Sequence, residues 1–359
     1  MFDAISKQDI LLHQPYQSFD YLIRFLREAA IDPKVTTILI TLYRVAKHSN
    51  VVNALINAVK NGKKVVVLME LQARFDEESN IYWTNQLQEA GAQVHFGKPG
   101  QKVHCKLCLI YRKEDNKVVK YTHLSTGNYN NVTARIYSDF SLFTKDTRIT
   151  EEIDALTDIL FVNLKRGGFK HILVAPDFMK KQFITLIENE SSNARVGKPA
   201  FIKAKMNSLV DTDIIKKLYE ASNAGVKIQL IIRGICCLVP GVEGSSKNIE
   251  VISIVDRFLE HARIYMFGNA GEEKIFLASA DWMSRNLMNR IECAFPLYDD
   301  IARKTVLDIF ELQWADAVKA RKITGISDNE LPPNHEQAGK FSSQQLSYNY
   351  FLNRMQKTD

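Results

Sequence analysis

The stretch "QKVHCKLCLIYR" (101–112) sets His104 and Lys106 inside an otherwise apolar run, and "LEHARIYMFG" (259–268) sets His261 and Arg263 inside another. Each pair has the form His-x-cation, and each run reads as a buried β-strand from its apolar content and length. The two stretches hold matching places in a longer series. Gly62 and Gly225 each close a helical segment ahead of a strand that begins with lysine and continues with branched apolar residues. From Arg44 to Gly62 is 18 residues, and from Asn207 to Gly225 is also 18. Gly62 to His104 is 42 residues while Gly225 to His261 is 36, a difference that one loop absorbs. Asn128, in "STGN", follows His104 by 24 residues, and Asp281, in "ASAD", follows His261 by 20. Asp139 and Glu292 each lie 11 residues further on, and are read as acids that orient the histidines. Such a series indicates a duplicated domain.

The elements between these landmarks alternate. Helical spacing of apolar residues occurs in "SFDYLIRFLREAA" (18–30), in "SNVVNALINAVKNG" (49–62) with Ser49 as N-cap, and in "EESNIYWTNQLQEAG" (77–91). "VTTILITLYRV" (35–45) and "KKVVVLMEL" (63–71) read as β-branched strands. The second half repeats the plan, with strands at 199–208, 226–234 and 273–282 and a helix at 212–225. "SIVDRFLEHARIYMFG" (253–268) predicts a short helix running into a strand. Strands separated by helices in this way define an α/β fold. The expected division is a first domain over 1–167, a second over 168–325, with Gly167–Gly168 breaking the pattern, and a polar, turn-rich C-terminal tail over 326–359, part of it helical.

In a strand, side chains alternate between faces, so His104, Lys106 and Cys108 share one face and Cys105, Leu107 and Leu109 the other. Cys105 and Cys108 then point apart, which argues against a shared zinc ion, and both read as core residues. The chain has 359 residues, enough for two cores, a net charge of +6 and no long Lys/Arg block, so duplex nucleic acid is not the first expectation. No run approaches a membrane span, the first 20 residues lack the pattern of a secretory signal, and five cysteines do not make a disulfide framework. The chain reads as cytoplasmic.

The His-x-Lys pair followed by a small-residue turn ending in Asn, twice per chain, resembles the phospholipase D superfamily, with departures. Tyr111 stands where the superfamily has Asp five residues after the Lys, and the second repeat has Arg263 for Lys and Asp281 for Asn. "TLYR" (41–44), "QARFDEE" (72–78), "HLSTGNYN" (123–130), "TARIYSDFSLFT" (133–144), "IRGICCLVPG" (232–241) and "SADWMSRNL" (279–287) are more closely similar to the polyphosphate kinases of the long-chain, histidine-phosphorylating type, over residues 8–325. The resemblance implies two tandem phospholipase D-like α/β/α repeats with mixed sheets facing a shared cleft. It also implies that this chain is the C-terminal catalytic half of a longer enzyme, a homo-oligomer, that moves the terminal phosphate of ATP reversibly to polyphosphate.

The same resemblance implies site roles. His104 is the phosphohistidine nucleophile and His261 an acid/base or phosphate contact. Arg44 and Arg74 line a phosphate–magnesium pocket; guanidinium cannot ligate Mg²⁺, so that ion is held mainly by phosphates and water. Tyr137 and Arg233 contact the nucleotide, and Lys106, Asn128, Arg263 and Asp281 complete the phosphate-binding set. His123 is the rival nucleophile, lacking a following x-Lys and matched by Phe276 in the second repeat. Two other readings stay open: a phosphodiester hydrolase of the phospholipase D or nuclease type, and a polyanion-binding fragment inactive without its upstream domains. Membrane contact, if any, is expected to be peripheral.

Overall fold

The computed structural model describes the chain apart from residues 71–76, 99, 163–167, 326–329, 333–338, 340 and 357–359. It divides into two compact units, Met1–Val174 with Asn289–Phe295, and Ala175–Met288 with Pro296–Asp359.

The first unit begins with α1 (Phe2–Lys7), β1 (Ile10–Gln14), α2 (Asp20–Ile31) and β2 (Val35–Leu42). It continues through α3 (Asn50–Lys60), β3 (Lys64–Met69), α4 (Glu77–Ala90), β4 (Gln93–Phe96) and the two-residue β5 (Lys102–Val103). Then come β6 (Lys106–Glu114), β7 (Lys117–Ser125), β8 (Tyr137–Thr144), α5 (Thr147–Thr157) and the short β9 (Leu173–Ala175). The main sheet has the order β1-β8-β7-β6-β2-β3-β4. β2, β3 and β4 run parallel, and the other neighbours are antiparallel. One face buries Ile38, Ile40, Val65, Val67, Cys108 and Ile110 in a core shared with α1 to α4. Leu107 and Leu109 are buried on the opposite face, which α5 covers. Helix α3 starts where Ser49 accepts a hydrogen bond from the Val52 amide and ends at Gly62, whose φ of 77° turns the chain into β3.

The second unit holds α6 (Met179–Arg195), β10 (Phe201–Met206), α7 (Thr212–Asn223), β11 (Lys227–Ile232) and β12 (Ile249–Ile254). β13 (Leu259–Glu260), β14 (Arg263–Phe267), β15 (Lys274–Ala278) and α8 (Ser284–Asn289) follow. After β16 (Arg290–Pro296) come α9 (Asp300–Trp314), β17 (Ala320–Ile323) and α10 (Ser343–Met355). Its sheet runs β17-β12-β11-β10-β14-β15, again a parallel trio, β10 to β12, beside an antiparallel hairpin. Lys106 pairs with Ser125 in the first hairpin and Arg263 with Ala278 in the second, so the two His-x-cation pairs occupy the same register. β16 falls by sequence in the second repeat, yet its residues through Phe295 belong to the first unit, where it pairs in parallel with β5.

Two local expectations are corrected. His104 and Cys105 lie outside any strand, in a break between β5 and β6. The amides of both donate to the Ile291 carbonyl, at 2.8 and 3.0 Å, at the end of the short β5–β16 pairing. No helix forms between Ser253 and Arg263: β12 ends at Ile254, Asp256–Phe258 bend, and Leu259–Glu260 form β13. The residues assigned to a polar tail include α10, a docked helix: the Ser343 amide donates to Asp316, Tyr350 to Asp308 and Arg354 to Thr305.

At the end of β11, a Cβ on Gly234 would stand 2.8 Å from the Asn207 carbonyl oxygen, closer than carbon and oxygen can approach. The Gly234 amide itself donates to that oxygen at 2.7 Å. Gly234→Ala is expected to cost about 1–3 kcal/mol, the range of overpacking. Chemical denaturation measures it, and an unchanged midpoint would contradict the close approach.

Candidate active site

Four elements build the surroundings of His104 in the first unit. The His104 Nδ1 lies 2.8 Å from the Glu292 Oε2, and the Glu292 side chain is fully buried. With Glu292 ionised and the ring neutral, Nδ1 donates and Nε2 keeps the lone pair, the form in which imidazole is a nucleophile. The Tyr43 ring meets the His104 ring edge-on at 5.0 Å, and the Lys106 Nζ lies 5.4 Å from the same tyrosine ring. Thr41, at the end of β2, donates to the Cys105 carbonyl at 2.7 Å and accepts from the Leu107 amide at 3.2 Å. Its hydroxyl therefore replaces the ladder bonds missing at the break.

Arg44 sits half-buried in the loop after β2. Asn80, fully buried on α4, shapes that loop: its Oδ1 accepts from the Val45 amide, and its Nδ2 donates to the Tyr43 and Glu70 carbonyls at 3.0 and 2.8 Å. Trp83 adds a bond from its indole nitrogen to the Ala46 carbonyl at 2.9 Å. Arg74 lies outside the described residues. Asn128 is in the turn after β7, and its Oδ1 is buried without a hydrogen-bond partner among the described residues. Next to it Gly127 leaves room for Asp139, whose Oδ2 would be 2.3 Å from a Cβ there. Asp139 accepts from the Thr126 hydroxyl at 2.6 Å. Tyr137 begins β8, half-buried.

The second unit gathers four of the expected residues around Asn207, at the end of β10. Arg263 grips Asp281 with two bonds of 3.2 Å, and the Asn207 amide donates to the same carboxylate at 2.8 Å. Asn207 also accepts from the Arg233 guanidinium at 2.5 and 3.1 Å and donates to the His261 carbonyl at 3.3 Å. The Arg263 Nη1 stands 3.1 Å from the His261 Nε2. Burial works to raise the Asp281 pKa, but the Arg263 guanidinium and the Asn207 donors outweigh it and hold the carboxyl at about 2. Asp281 is thus an anion that fixes Arg263, rather than a free ligand for anionic substrate.

Sequence reasoning paired each acid with a histidine but could not tell which. Glu292, from the second repeat, takes His104 of the first, because β16 is part of the first unit. Tyr43, Thr41, Asn80 and Asn207 were not read as site residues. Tyr43 stands inside the "TLYR" motif and Asn207 at the place matching Arg44, which were the available signals. Tyr111, in place of the usual Asp, hydrogen bonds to Asp154 of α5. Cys105 and Cys108 are packing: burial pushes the Cys105 thiol up to about 12 and raises Cys108 as well. Among the described residues no three His, Cys, Asp or Glu side chains stand together to hold a metal, and no helix is long and apolar enough to cross a membrane.

The fold is shared with a phosphatidylserine synthase from Haemophilus influenzae, which superposes with a TM-score of 0.61 at 10% identity, covering 98% of this chain and 95% of that one. The chain belongs to the polyphosphate kinase family. Residues 1–166 match the family's "Polyphosphate kinase C-terminal domain 1" and residues 172–344 its "Polyphosphate kinase C-terminal domain 2". A polyphosphate kinase of Vibrio vulnificus is 49% identical over 355 residues, 98% of this chain and 50% of that protein. The polyphosphate kinase of Escherichia coli K12 is 46% identical over 349 residues, 97% of this chain and 51% of that protein. The crystal structure of polyphosphate kinase from Porphyromonas gingivalis superposes with a TM-score of 0.92 at 41% identity, covering 99% of this chain and 54% of that one. The chain thus spans about half the length of the relatives it matches.

His123, the rival nucleophile, is 1% exposed, with its Nδ1 3.0 Å from the Tyr129 hydroxyl and its ring against Phe143. Burial lowers its pKa to about 3, so it stays neutral in the folded protein. The unfolded chain takes up a proton near pH 6.5, so stability is complete above that pH and declines as pH falls toward about 3. The slope is up to ~1.4 kcal/mol per pH unit. Denaturation at pH 7 and pH 4.5 should show this decline in the wild type and a shallower one in His123→Gln. Parallel pH dependence in both would contradict the buried neutral state.

Proposed function

We propose that this chain carries out phosphoryl transfer from ATP to polyphosphate, with His104 as the phosphate carrier. The observation that supports this most directly is the buried contact of the His104 Nδ1 with Glu292 at 2.8 Å. The lone pair of Nε2 attacks the γ-phosphorus, the bond to the bridging oxygen breaks, and ADP leaves. The imidazole becomes a phosphorylated cation whose remaining N–H faces an anion fixed in advance. A terminal oxygen of polyphosphate then attacks the same phosphorus, and the N–P electron pair returns to the ring. An N–P bond keeps enough transfer potential for both directions, which a serine ester would not.

Lys106 and Arg44 supply positive charge for the equatorial oxygens, Tyr137 and Arg233 contact the nucleotide, and Arg74 joins the phosphate set. Asn128 offers an amide to a phosphoryl oxygen. His261 serves the same reaction as acid/base or phosphate contact, and the Arg263–Asp281 pair keeps its surroundings rigid. A divalent ion such as Mg²⁺ would screen the nucleotide's phosphates. The described residues do not fit a protein-ligated ion, so it would arrive on those phosphates and their water, and no step is assigned to it. The buried thiols of Cys105 and Cys108 suit a reducing cytoplasm.

The test uses the full-length polypeptide. γ-Labelled ATP should leave an acid-labile, base-stable phosphate on residue 104, and His104→Ala should neither label nor extend polyphosphate. Glu292→Gln, which keeps a hydrogen bond and removes the charge, should lower kcat by about 10²–10⁴-fold. Labelling that persists in His104→Ala would refute the assignment.

A further inference from the structure

We infer that Gln344, in the first turn of α10, is a positioning residue for His261. His261 directly follows Glu260, whose side chain is 1% exposed. The Glu260 carboxylate accepts from three side chains. Lys205 of β10 and Gln313 of α9 reach Oε2, the latter at 3.0 Å, and Gln344 reaches Oε1 at 2.7 Å. The Gln344 amide also grips the chain two residues earlier. Its Oε1 accepts from the Phe258 amide at 2.9 Å and its Nε2 donates to the Phe258 carbonyl at 2.8 Å. This two-point contact resembles that of a strand neighbour. One side chain thereby contacts two of the three residues leading into His261.

The other side of the same segment is held by the site itself. The Glu260 carbonyl accepts from the Arg233 Nε at 3.2 Å, and the His261 carbonyl from Asn207 and Arg263 at 3.3 and 3.0 Å. The segment is therefore fixed between α10 and the Asn207 cluster. A buried ion pair such as Lys205–Glu260 is a weak source of stability, since apolar residues of equal volume often do as well. Its directional bonds do set where the chain lies. α10 is itself anchored, with the Ser343 amide on Asp316 at 2.7 Å and Arg354 on Thr305 at 2.7 Å. The C-terminal helix thus acts on His261 through Glu260 and Phe258. The kinetic consequence rests on the phosphotransfer reading above; the structural one does not.

Gln344→Met keeps volume and helix propensity and removes the amide. In the full-length polypeptide it is expected to lower kcat about 10- to 100-fold, the penalty of a small misplacement, while KM stays within about threefold. In a His261→Ala background the same substitution should cost less than about twofold, because there is then no imidazole to misplace. With ¹³C-labelled histidine, the His261 ring resonance, assigned by its loss in His261→Ala, should shift in Gln344→Met. Wild-type kcat with an unmoved His261 resonance would overturn the inference, and so would an equal penalty in the His261→Ala background. Wild-type protein that neither labels nor elongates would refute the phosphotransfer reading instead, and the resonance then decides the positioning alone. Should Gln344→Met not fold, Gln344→Asn, which withdraws the amide by one methylene, is read by the same measurements.

Discussion

A fully buried glutamate facing a histidine at 2.8 Å is the constraint around which the first unit is arranged. Water cannot reach Glu292 to stabilise its charge, so the carboxylate depends on the donors given to it, and the histidine is among them. That requirement brings β16 alongside β5 and places the Ile291 carbonyl where the His104 and Cys105 amides can use it. The resulting break in the strand costs ladder bonds, which the Thr41 hydroxyl partly restores. Ring orientation, tautomer and local backbone therefore follow from one buried charge.

The second unit solves a related problem differently. Its acid, Asp281, is satisfied by an arginine and an asparagine, and the histidine is placed through its backbone. The duplicated pattern is thus kept in topology and register while the chemistry of the two copies has diverged. Arg263 for lysine brings two-point binding of a carboxylate, which an ammonium cannot offer. The exchange of Asn for Asp at 281 then follows, because a guanidinium in that place calls for an anion.

Much of this was legible along the chain. The His-x-cation pairs, the 18-residue spacing, Ser49 as a cap and Gly62 and Gly225 as helix ends are local features, decided by side-chain chemistry and by φ values that neighbours cannot alter. Alternation in 106–111 correctly separated Cys108 from Leu107 and Leu109. The segment 253–258 misled, since its apolar spacing suits a helix. Its last three residues bend instead, and the Phe258 amide is taken by Gln344, 86 residues later. The composition of the last residues allowed a helix there but did not show where α10 docks, since its attachments are polar and scattered.

By itself the sequence determined the α/β class, the repeat and the residue types able to carry a phosphoryl group, because each depends on periodicity or on intrinsic chemistry. Only the tertiary structure decided that Glu292 serves His104, that His123 is sealed in a core, that Asp281 is bound to Arg263, and that α10 reaches Phe258 and Glu260. Those outcomes are pairings between side chains far apart in the chain. A buried polar group must find a partner, but nothing in its own neighbourhood says which of several distant candidates the folded backbone will bring within 3 Å.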